Sequence, residues 1–434
     1  MSAIVTAMRG KGSATRLRGP LRLLRRAEVI CGRYGLTSAK MVRTLDRFVE
    51  VLGQYRCGAT FPITTAAFAR HSKALEKYRA QDIELAVHGY RHVDHTRLSL
   101  DAQVQQLTDA RRLFDARSSP AVGFRSPYLR WSAETIAAAH AAGFLYDSSW
   151  GLVWDVAAGA ETASYRHVLA FYRAAAAAEY PALPRLEDGL VRIPYCLPDD
   201  ESLVDRLRLA PGAAMSDCWL AILDRSHELG ELFTLGLHPE RIRPCEVSLA
   251  DTLAAARAKS PAVWIARLDE IARWWVARTA ATVTIAAGAD GEIAMDVEGP
   301  AGVTILARNV ELLTPAEPWE GAWRIARGSG VRFRAGTRPF IGVSGRSSGS
   351  LVSFLRQQGY VVERADSSRE HGLYFDRPAF SHEDERGLLV VIERSPRPLV
   401  RLGRWPNGSR SALCVTGDID ALTIGDYGLR LFGG

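Results

Sequence analysis

Two hydrophobic patterns alternate along the first 280 positions. Met41, Leu45, Phe48, Val49 and Leu52 keep helical spacing, so residues 38–52 are predicted to form a helix with one apolar face. Residues 58–64 read as a short strand, an Ala- and Lys-rich helix follows, and residues 83–87 form a strand that delivers His88 at its carboxyl end. Ser99 is placed to cap a helix carrying Val104, Leu107 and Leu113, and Ser132 to cap one ending near Gly143. Residues 122–125, 144–146, 191–195 and 232–237 are further strands, 150–187 an Ala-rich helical insertion, and 268–277 a closing helix. Strand and helix alternate, and unusual polar residues recur just after strands. That is how α/β barrels and open parallel sheets place their sites.

The pattern changes near Ala280. Short strands at 282–285, 292–297, 303–306 and 331–334 are separated by Gly, Pro and Asp turns, which predicts a small β-sandwich of about 60 residues. A strand–helix–strand passage follows (340–343, 351–358, 360–363), then a polar, irregular stretch to about 385. Residues 412–416 make a compact buried strand with Gly417-Asp418-Ile419-Asp420 at its end. The expected division is a basic tail (1–30), a barrel (31–280 with 400–434), a sandwich-like domain (281–345) and an α/β connecting segment (346–399).

Composition changes this picture little. With 434 residues, 47% hydrophobic and 24% charged, the chain reads as a globular protein of two or three domains. The formal charge of +7 has a local origin. Arg9, Lys11, Arg16, Arg18, Arg22, Arg25 and Arg26 all precede the first acid, Glu28, and the remainder is balanced. Such a tail is usually solvated, and no nucleic-acid partner is expected. Six scattered cysteines without a C-x-x-C pair argue against a disulfide framework or a cysteine zinc site. Residues 2–8 are too short and too weakly apolar for a secretory signal, and no run reaches the roughly 18 apolar residues of a membrane span. A cytoplasmic protein is the expectation. The sequence specifies no oligomeric state.

The candidate chemistry begins with His88 and His92. At i and i+4 two imidazoles would share one face of a helical turn, close enough to hold one ion. They make half of a hydrolytic metal site, which usually takes three protein ligands and keeps one open position. In Asp418-x-Asp420 one carboxylate can bind the metal while the other handles a proton. Each feature also has a plain reading. The histidines could be solvated at a helix start, the aspartates could be turn and capping residues, and residues 125–128 a simple turn. His238 could be a hydrogen-bonded loop residue, and Asp199 and Asp200 could cap a helix starting at Leu203. Their joint placement at strand ends favours the chemical reading.

As a set, His88-x-x-x-His92, Arg125-x-Pro127-Tyr128, Leu235-x-Leu237-His238 and Thr416-x-Asp418-x-Asp420 resemble the motifs of the NodB-homology polysaccharide deacetylases, carbohydrate esterase family four. The phrases at 84–92, 143–149 and 193–194 are similar too. The resemblance covers about 35–280 and 400–434. It implies a distorted (β/α) barrel, here with a small β-rich second domain, and a metal-dependent amide hydrolase that removes acetyl from an N-acetylated carbohydrate. His88, His92 and Asp420 would hold a divalent ion, zinc first. Asp418 would be the base, Arg125 its steering partner, the Tyr128 N–H an oxyanion donor, and His238 the acid, charged by Asp199 or Asp200. Three features depart from the family. The aspartate motif, ordinarily first, closes this chain, which reads as a circular permutation re-entering at about Gly32. Gly89 stands where many relatives carry Ser or Thr. Ile419 separates the aspartates, which makes Asp420 the expected ligand. A non-sugar amide or ureide hydrolase and a non-catalytic carbohydrate-binding protein are the alternatives.

Overall fold

A computed structural model describes residues 30–157 and 159–428; the predicted basic tail, apart from Ile30, lies outside the described residues. Helix α1 (Ala39–Gln54) buries Met41, Leu45, Phe48, Val51 and Leu52. It packs on a succession of parallel strands and helices. These are β1 (Ala59–Ile63), α2 (Thr65–Arg79), β2 (Ile83–Val87), α3 (Leu100–Ala116), β3 (Gly123–Phe124), α4 (Ala133–Ala141) and β4 (Tyr146–Asp147). Ser99 caps α3 through its hydroxyl, and Ser132 forms a capping box with Thr135 on α4. Both caps satisfy N–H groups that a helix leaves without internal partners.

The sheet continues with β5 (Gly151–Val153), β6 (Ala175–Ala176), β7 (Arg185–Glu187), β8 (Leu190–Arg192), β9 (Tyr195–Leu197) and β10 (Leu232–Leu237). Helix α5 (Ala163–Tyr172) precedes β6, and α6 (Ala213–Leu229) precedes β10. Beyond β10 come α7 (Ile242–Ala258), β11 (Val263–Ile265) and α8 (Leu268–Thr279). The strand order is β6-β5-β9-β10-β23-β1-β2-β3-β4-β8-β7, where β23 (Ser411–Gly417) comes from the far end of the chain. Strand β23 pairs in parallel with the whole of β10 through Ala412–Gly417, with β11 through Ser411–Leu413 and with β1 through Val415 and Thr416.

This order requires curvature. Strands β8 and β9 stand seven steps apart in the sheet, about 34 Å if it were flat. Only Ile193 and Pro194 join them, a link that spans at most about 11 Å. The sheet therefore curls into an incompletely closed barrel, with β6 and β7 at its open edges. The Tyr146 and Tyr195 rings are buried against Gly123 and Gly236 of neighbouring strands. A Cβ added at Gly236 would sit 1.8 Å from the Tyr195 hydroxyl, so only glycine leaves room for that ring. Pro194, which has no N–H to give a ladder, divides the single strand predicted for 191–195 into β8 and β9.

Two further expectations are corrected. The Ala-rich run at 150–187 is not one helical insertion. Helix α5 stops at Arg173, which is left-handed (φ 52°), and Ala175–Ala176 pairs instead with Leu152 and Val153. Pairing with a waiting strand outweighs alanine's helical propensity, which ranks highest among residues but is small against tertiary contacts. The polar stretch before 385 contains a strand, His371–Phe375, recruited by its neighbour Arg338–Val343.

Residues 282–402 form two facing sheets and a small α/β unit. One sheet holds β12 (Thr282–Ala287), β13 (Glu292–Glu298), β15 (Glu311–Leu312) and β18 (Gly330–Arg334). The other holds β14 (Ile305–Arg308), β16 (Glu317–Glu320), β17 (Trp323–Ala326) and β22 (Leu399–Leu402). Met295, Val297, Ile305, Phe333, Phe340 and Val400 share the core between them. The α/β unit sets β19 (Arg338–Val343) between β20 (Val362–Arg364) and β21 (His371–Phe375), with α9 (Gly349–Gln357) and α10 (Glu385–Arg394). Trp264, Trp274 and Trp275 of the barrel pack with Trp405 of the β22–β23 connection, and the Trp275 indole donates to Gln357 Oε1 on α9 at 3.4 Å. Among the described residues no helix is long and apolar enough to cross a membrane, and all six cysteines are free thiols.

A buried carboxyl holds α8 against the barrel. Glu84 on β2 accepts hydrogen bonds from Thr60 Oγ1 (2.6 Å), Tyr146 Oη (2.9 Å) and the Asp269 N–H at the start of α8 (3.1 Å). Burial, with the Asp269 charge adding to it, pushes Glu84 up to about 7 against these bonds. A carboxyl raised on folding contributes stability that is complete below its unfolded value, near 4.3, and is lost as pH rises through the folded value. Unfolding free energy of Glu84→Gln, followed by urea titration from pH 4.5 to 7.5, should therefore fall less steeply than that of the parent. Equal slopes would remove Glu84 as the source.

Candidate metal and acid–base site

The polar residues singled out from sequence converge at the carboxyl ends of the parallel strands. His88 follows β2, Arg125 follows β3, Asp200 follows β9, His238 follows β10, and Asp418 and Asp420 follow β23. Residues 88–94 are not helical, which corrects the reading of His88 and His92 as one face of a helical turn. A bent loop brings the rings together instead, with centroids 5.1 Å apart. Gly89 makes the bend at φ +73°. A Cβ there would meet the Arg91 carbonyl at 2.9 Å and His95 Nε2 at 3.0 Å. A serine or threonine at this position has no space, and the loop is braced from elsewhere. The Gly89 carbonyl accepts from the Thr65 N–H (3.0 Å) and hydroxyl (3.1 Å), and the Tyr90 carbonyl from the Ala66 N–H (2.9 Å). Those N–H groups are the unsatisfied donors of the first turn of α2. Replacing Gly89 by Ser should cost about 2 kcal/mol of folding stability, from the left-handed backbone and the displaced neighbours. Thermal melts would check this; an unchanged melting temperature would contradict it.

His88 Nδ1 lies 2.9 Å from the Arg125 carbonyl oxygen. A carbonyl only accepts, so the proton sits on Nδ1 and the Nε2 lone pair faces the cluster. Asp420 Oδ1 lies 3.4 Å from His88 Nε2 and 3.1 Å from His92 Nε2. One donor atom from each of the three lies within 4.8 Å of the others. Two imidazoles and a carboxylate at such separations fit the donor set of a hydrolytic zinc site. The Tyr128 ring stands edge-on to His92, centroids 4.3 Å apart, and both Tyr128 and Leu129 are left-handed (φ 60° and 53°).

Arg125 is fully buried and held on every side. Its Nη1 donates to Asp418 Oδ1 (2.5 Å) and Thr416 Oγ1 (3.0 Å), its Nε to the Ser148 carbonyl (3.0 Å) and its Nη2 to the Ser148 hydroxyl (3.0 Å). The guanidinium lies 4.7 Å from the Tyr195 ring centroid. Asp418, unlike Asp420, is tied to this arginine.

The aspartates after β9 divide their work. Asp200 Oδ1 lies 2.8 Å from His238 Nδ1, and its Oδ2 accepts the His238 N–H at 2.7 Å. Burial pushes the imidazolium down, but the Asp200 carboxylate outweighs it, and His238 titrates well above its ordinary value. Asp199 makes no such contact. Its Oδ2 accepts from the Tyr195 hydroxyl (2.9 Å) and its Oδ1 from the Ser202 N–H (2.8 Å). Burial and the adjacent Asp200 charge push it up to about 6. Of the two candidates for holding His238, the geometry selects Asp200, while Asp199 keeps the capping role that was its plain reading.

The cleft over the cluster is lined by His88, His92, Tyr128, His238, Asp418 and Asp420, with Asp199 in its wall. Leu129, Tyr172, Tyr195 and Glu201 also line it and were missed from sequence. Tyr172 and Glu201 carry no motif signal. Ser148 and Arg241 were missed as supports, although Ser148 follows a strand end and Arg241 lies three residues past His238. The Arg241 guanidinium approaches Asp200 at 3.8 Å and Asp205 at 2.9 Å.

A curled parallel barrel with this cluster at its strand ends defines an α/β protein of the deacetylase-barrel type. Residues 38–146 match the family described as polysaccharide deacetylase, the family that the motifs resemble. No curated protein matches the chain. Among solved structures, a Mycobacterium smegmatis protein provisionally described as a polysaccharide deacetylase is similar at 21% identity. The match covers 53% of this chain and 76% of that one, with a TM-score of 0.41. The Puue allantoinase is similar at 19% identity, over 54% and 72%, with a TM-score of 0.42. A family 4 carbohydrate esterase from Streptomyces lividans, solved with acetate, is 14% identical over 49% and 82%, with a TM-score of 0.31.

Proposed function

We propose that this chain is a metal-dependent hydrolase of amide C–N bonds, and that its substrate is an N-acetylated sugar or polysaccharide precursor. The observation that carries this reading is the approach of Asp420, near one end of the chain, to His88 and His92, with Asp418 held beside them by Arg125. His88 and His92 through Nε2, and Asp420 through its carboxylate, would hold the divalent ion, and zinc suits this donor set. When bound there, such an ion supplies a Lewis acid for the carbonyl and acidifies a water toward a pKa of about 7.

The protein's own residues do the rest. Asp418 takes the proton of the attacking water; its Oδ1 is committed to Arg125, so the carboxylate keeps one orientation. The Tyr128 N–H, set by the left-handed turn, donates to the oxygen that becomes negative, a contribution of roughly 3 kcal/mol. His238 is kept protonated by Asp200 and gives its Nε2 proton to the leaving amine, since Nδ1 is committed. Once amide and water have become amine and carboxylic acid, proton balance is restored from solvent.

The strand order supports reading the chain as a permuted barrel, in which β23 does the work of a first strand. Residues 419–428 leave β23 across β1 and settle beside residues 30–35, where the Ile424 N–H donates to the Gly35 carbonyl at 2.9 Å. The step from that strand into α1 is therefore short in space.

Acetate release from a panel of N-acetylated glycans, with and without chelator, tests the proposal. Release that stops with chelator and returns with zinc is expected. Turnover of a cyclic ureide or small amide alone would move the substrate class. Purified protein with neither metal nor turnover would leave a carbohydrate-binding protein and overturn the reading.

A further inference from the structure

A second cleft, about 220 Å³ in volume, lies at the opposite end of β10 from His238. There residues 228–231, leading into β10, meet α10, the end of β22 and the connection from β22 to β23. Five arginines (386, 394, 401, 404 and 410) line it, against three glutamates (228, 231 and 393). Arg401 and Arg404 are 4% and 5% exposed. Among the described residues, Arg401 Nε and Nη1, Arg404 Nε and Nη2, and Arg410 Nε find no hydrogen-bond acceptor. Buried guanidinium groups left in that state are costly.

The carboxylates nearby do not remove this excess. Glu231 is committed to Arg386. Glu393 accepts the Tyr360 hydroxyl at 2.6 Å and forms ion pairs at 3.6 Å with both Arg401 and Arg404, but at that separation it accepts a hydrogen bond from neither. Arg410 pairs with Glu320 at its rim. A purely structural role accounts for the faces of these groups, since Arg401 lies 5.0 Å over the Trp323 ring. It leaves their donor edges unexplained. The positive field is felt outside the cleft: burial, with the Arg404 and Arg401 charges, pushes the neighbouring Arg278 down to about 9.

We propose that this cleft binds a small phosphorylated molecule through its phosphate or diphosphate group, at a site separate from the His88–Asp420 cluster. The donors come from three segments, α10, β22 and the β22–β23 connection. They call for an acceptor with oxygens facing several ways at once. A tetrahedral phosphate offers that, while a carboxylate satisfies one planar fork. Leu306, Leu389 and Trp319 supply an apolar wall for the remainder of the molecule.

The test is calorimetric titration of the full chain, stripped with chelator so that no metal can hold the probe, with pyrophosphate, inorganic phosphate and citrate. One equivalent of pyrophosphate should bind, more tightly than citrate. Affinity should fall about ten-fold or more in Arg404→Gln and in Arg410→Gln, the loss of one charged hydrogen bond. A His88→Ala/His92→Ala variant should bind as the parent does. If circular dichroism shows Arg404→Gln unfolded, the partly exposed Arg410 decides. No saturable binding, unchanged affinity in folded arginine variants, citrate binding as tightly as pyrophosphate, or loss on removing the histidines would each overturn the proposal.

Discussion

Asp418→Asn is expected to lower kcat by 10²–10⁴-fold, the range for loss of a positioned general base, while the protein still takes up one equivalent of divalent metal. The side chain keeps its shape, and an amide oxygen can still accept from Arg125, so the loop after β23 should hold. What disappears is the capacity to take a proton. The exchange also leaves the buried Arg125 guanidinium without its counter-charge, and some stability goes with it. Metal content by mass spectrometry, a thermal melt and turnover must therefore be read on one preparation. Turnover near the parent level with metal in place would take the base role away from Asp418. Loss of metal together with turnover would instead make Asp418 part of the ion's support.

Asp200→Asn should move the alkaline limb of the kcat profile to lower pH and reduce kcat at pH 8 by about 10–100-fold. His238 is raised well above its ordinary value by Asp200, against burial. Asp200 is lowered by His238 and Arg241, again against burial. The stability that His238 contributes is complete below its unfolded value, about 6.5, and is lost as pH rises through its folded one. The Asp200 contribution is complete above its unfolded value, about 3.9, and is lost as pH falls through its folded one. The pair should thus stabilise the fold most between about pH 4 and 6.5, and Asp200→Asn should cost most in that window. An unmoved alkaline limb would mean that the acid is another group.

Comparison of particular residues separates what was legible in sequence from what was not. The alternation of strand and helix was legible through 38–146 but not through 150–187, because buried parallel strands and amphipathic helices need different spacings of apolar residues and the Ala-rich run carries neither. The residues proposed for a metal site and its acid–base partners were legible as types near strand ends. The conformation of 88–92 was not. Its bend depends on Gly89 being crowded by Arg91, His95 and Pro127 and held by the first turn of α2, none of which appears in a local pattern. Nor was β21, whose few apolar residues become a strand only because β19 presents an edge to it.

By itself, then, the sequence determined that His88, Arg125, His238, Asp418 and Asp420 stand just past strand ends, since that follows from local periodicity and from where each apolar run stops. Tertiary structure alone decided that Asp200, not Asp199, grips His238, that Arg125 binds Asp418 while Asp420 turns to the imidazoles, and that five arginines from separate segments share one cleft. These are matters of a few ångströms between residues far apart in the chain. Such distances are set by the curl of the sheet and the packing of its interior, which no stretch of neighbouring residues encodes.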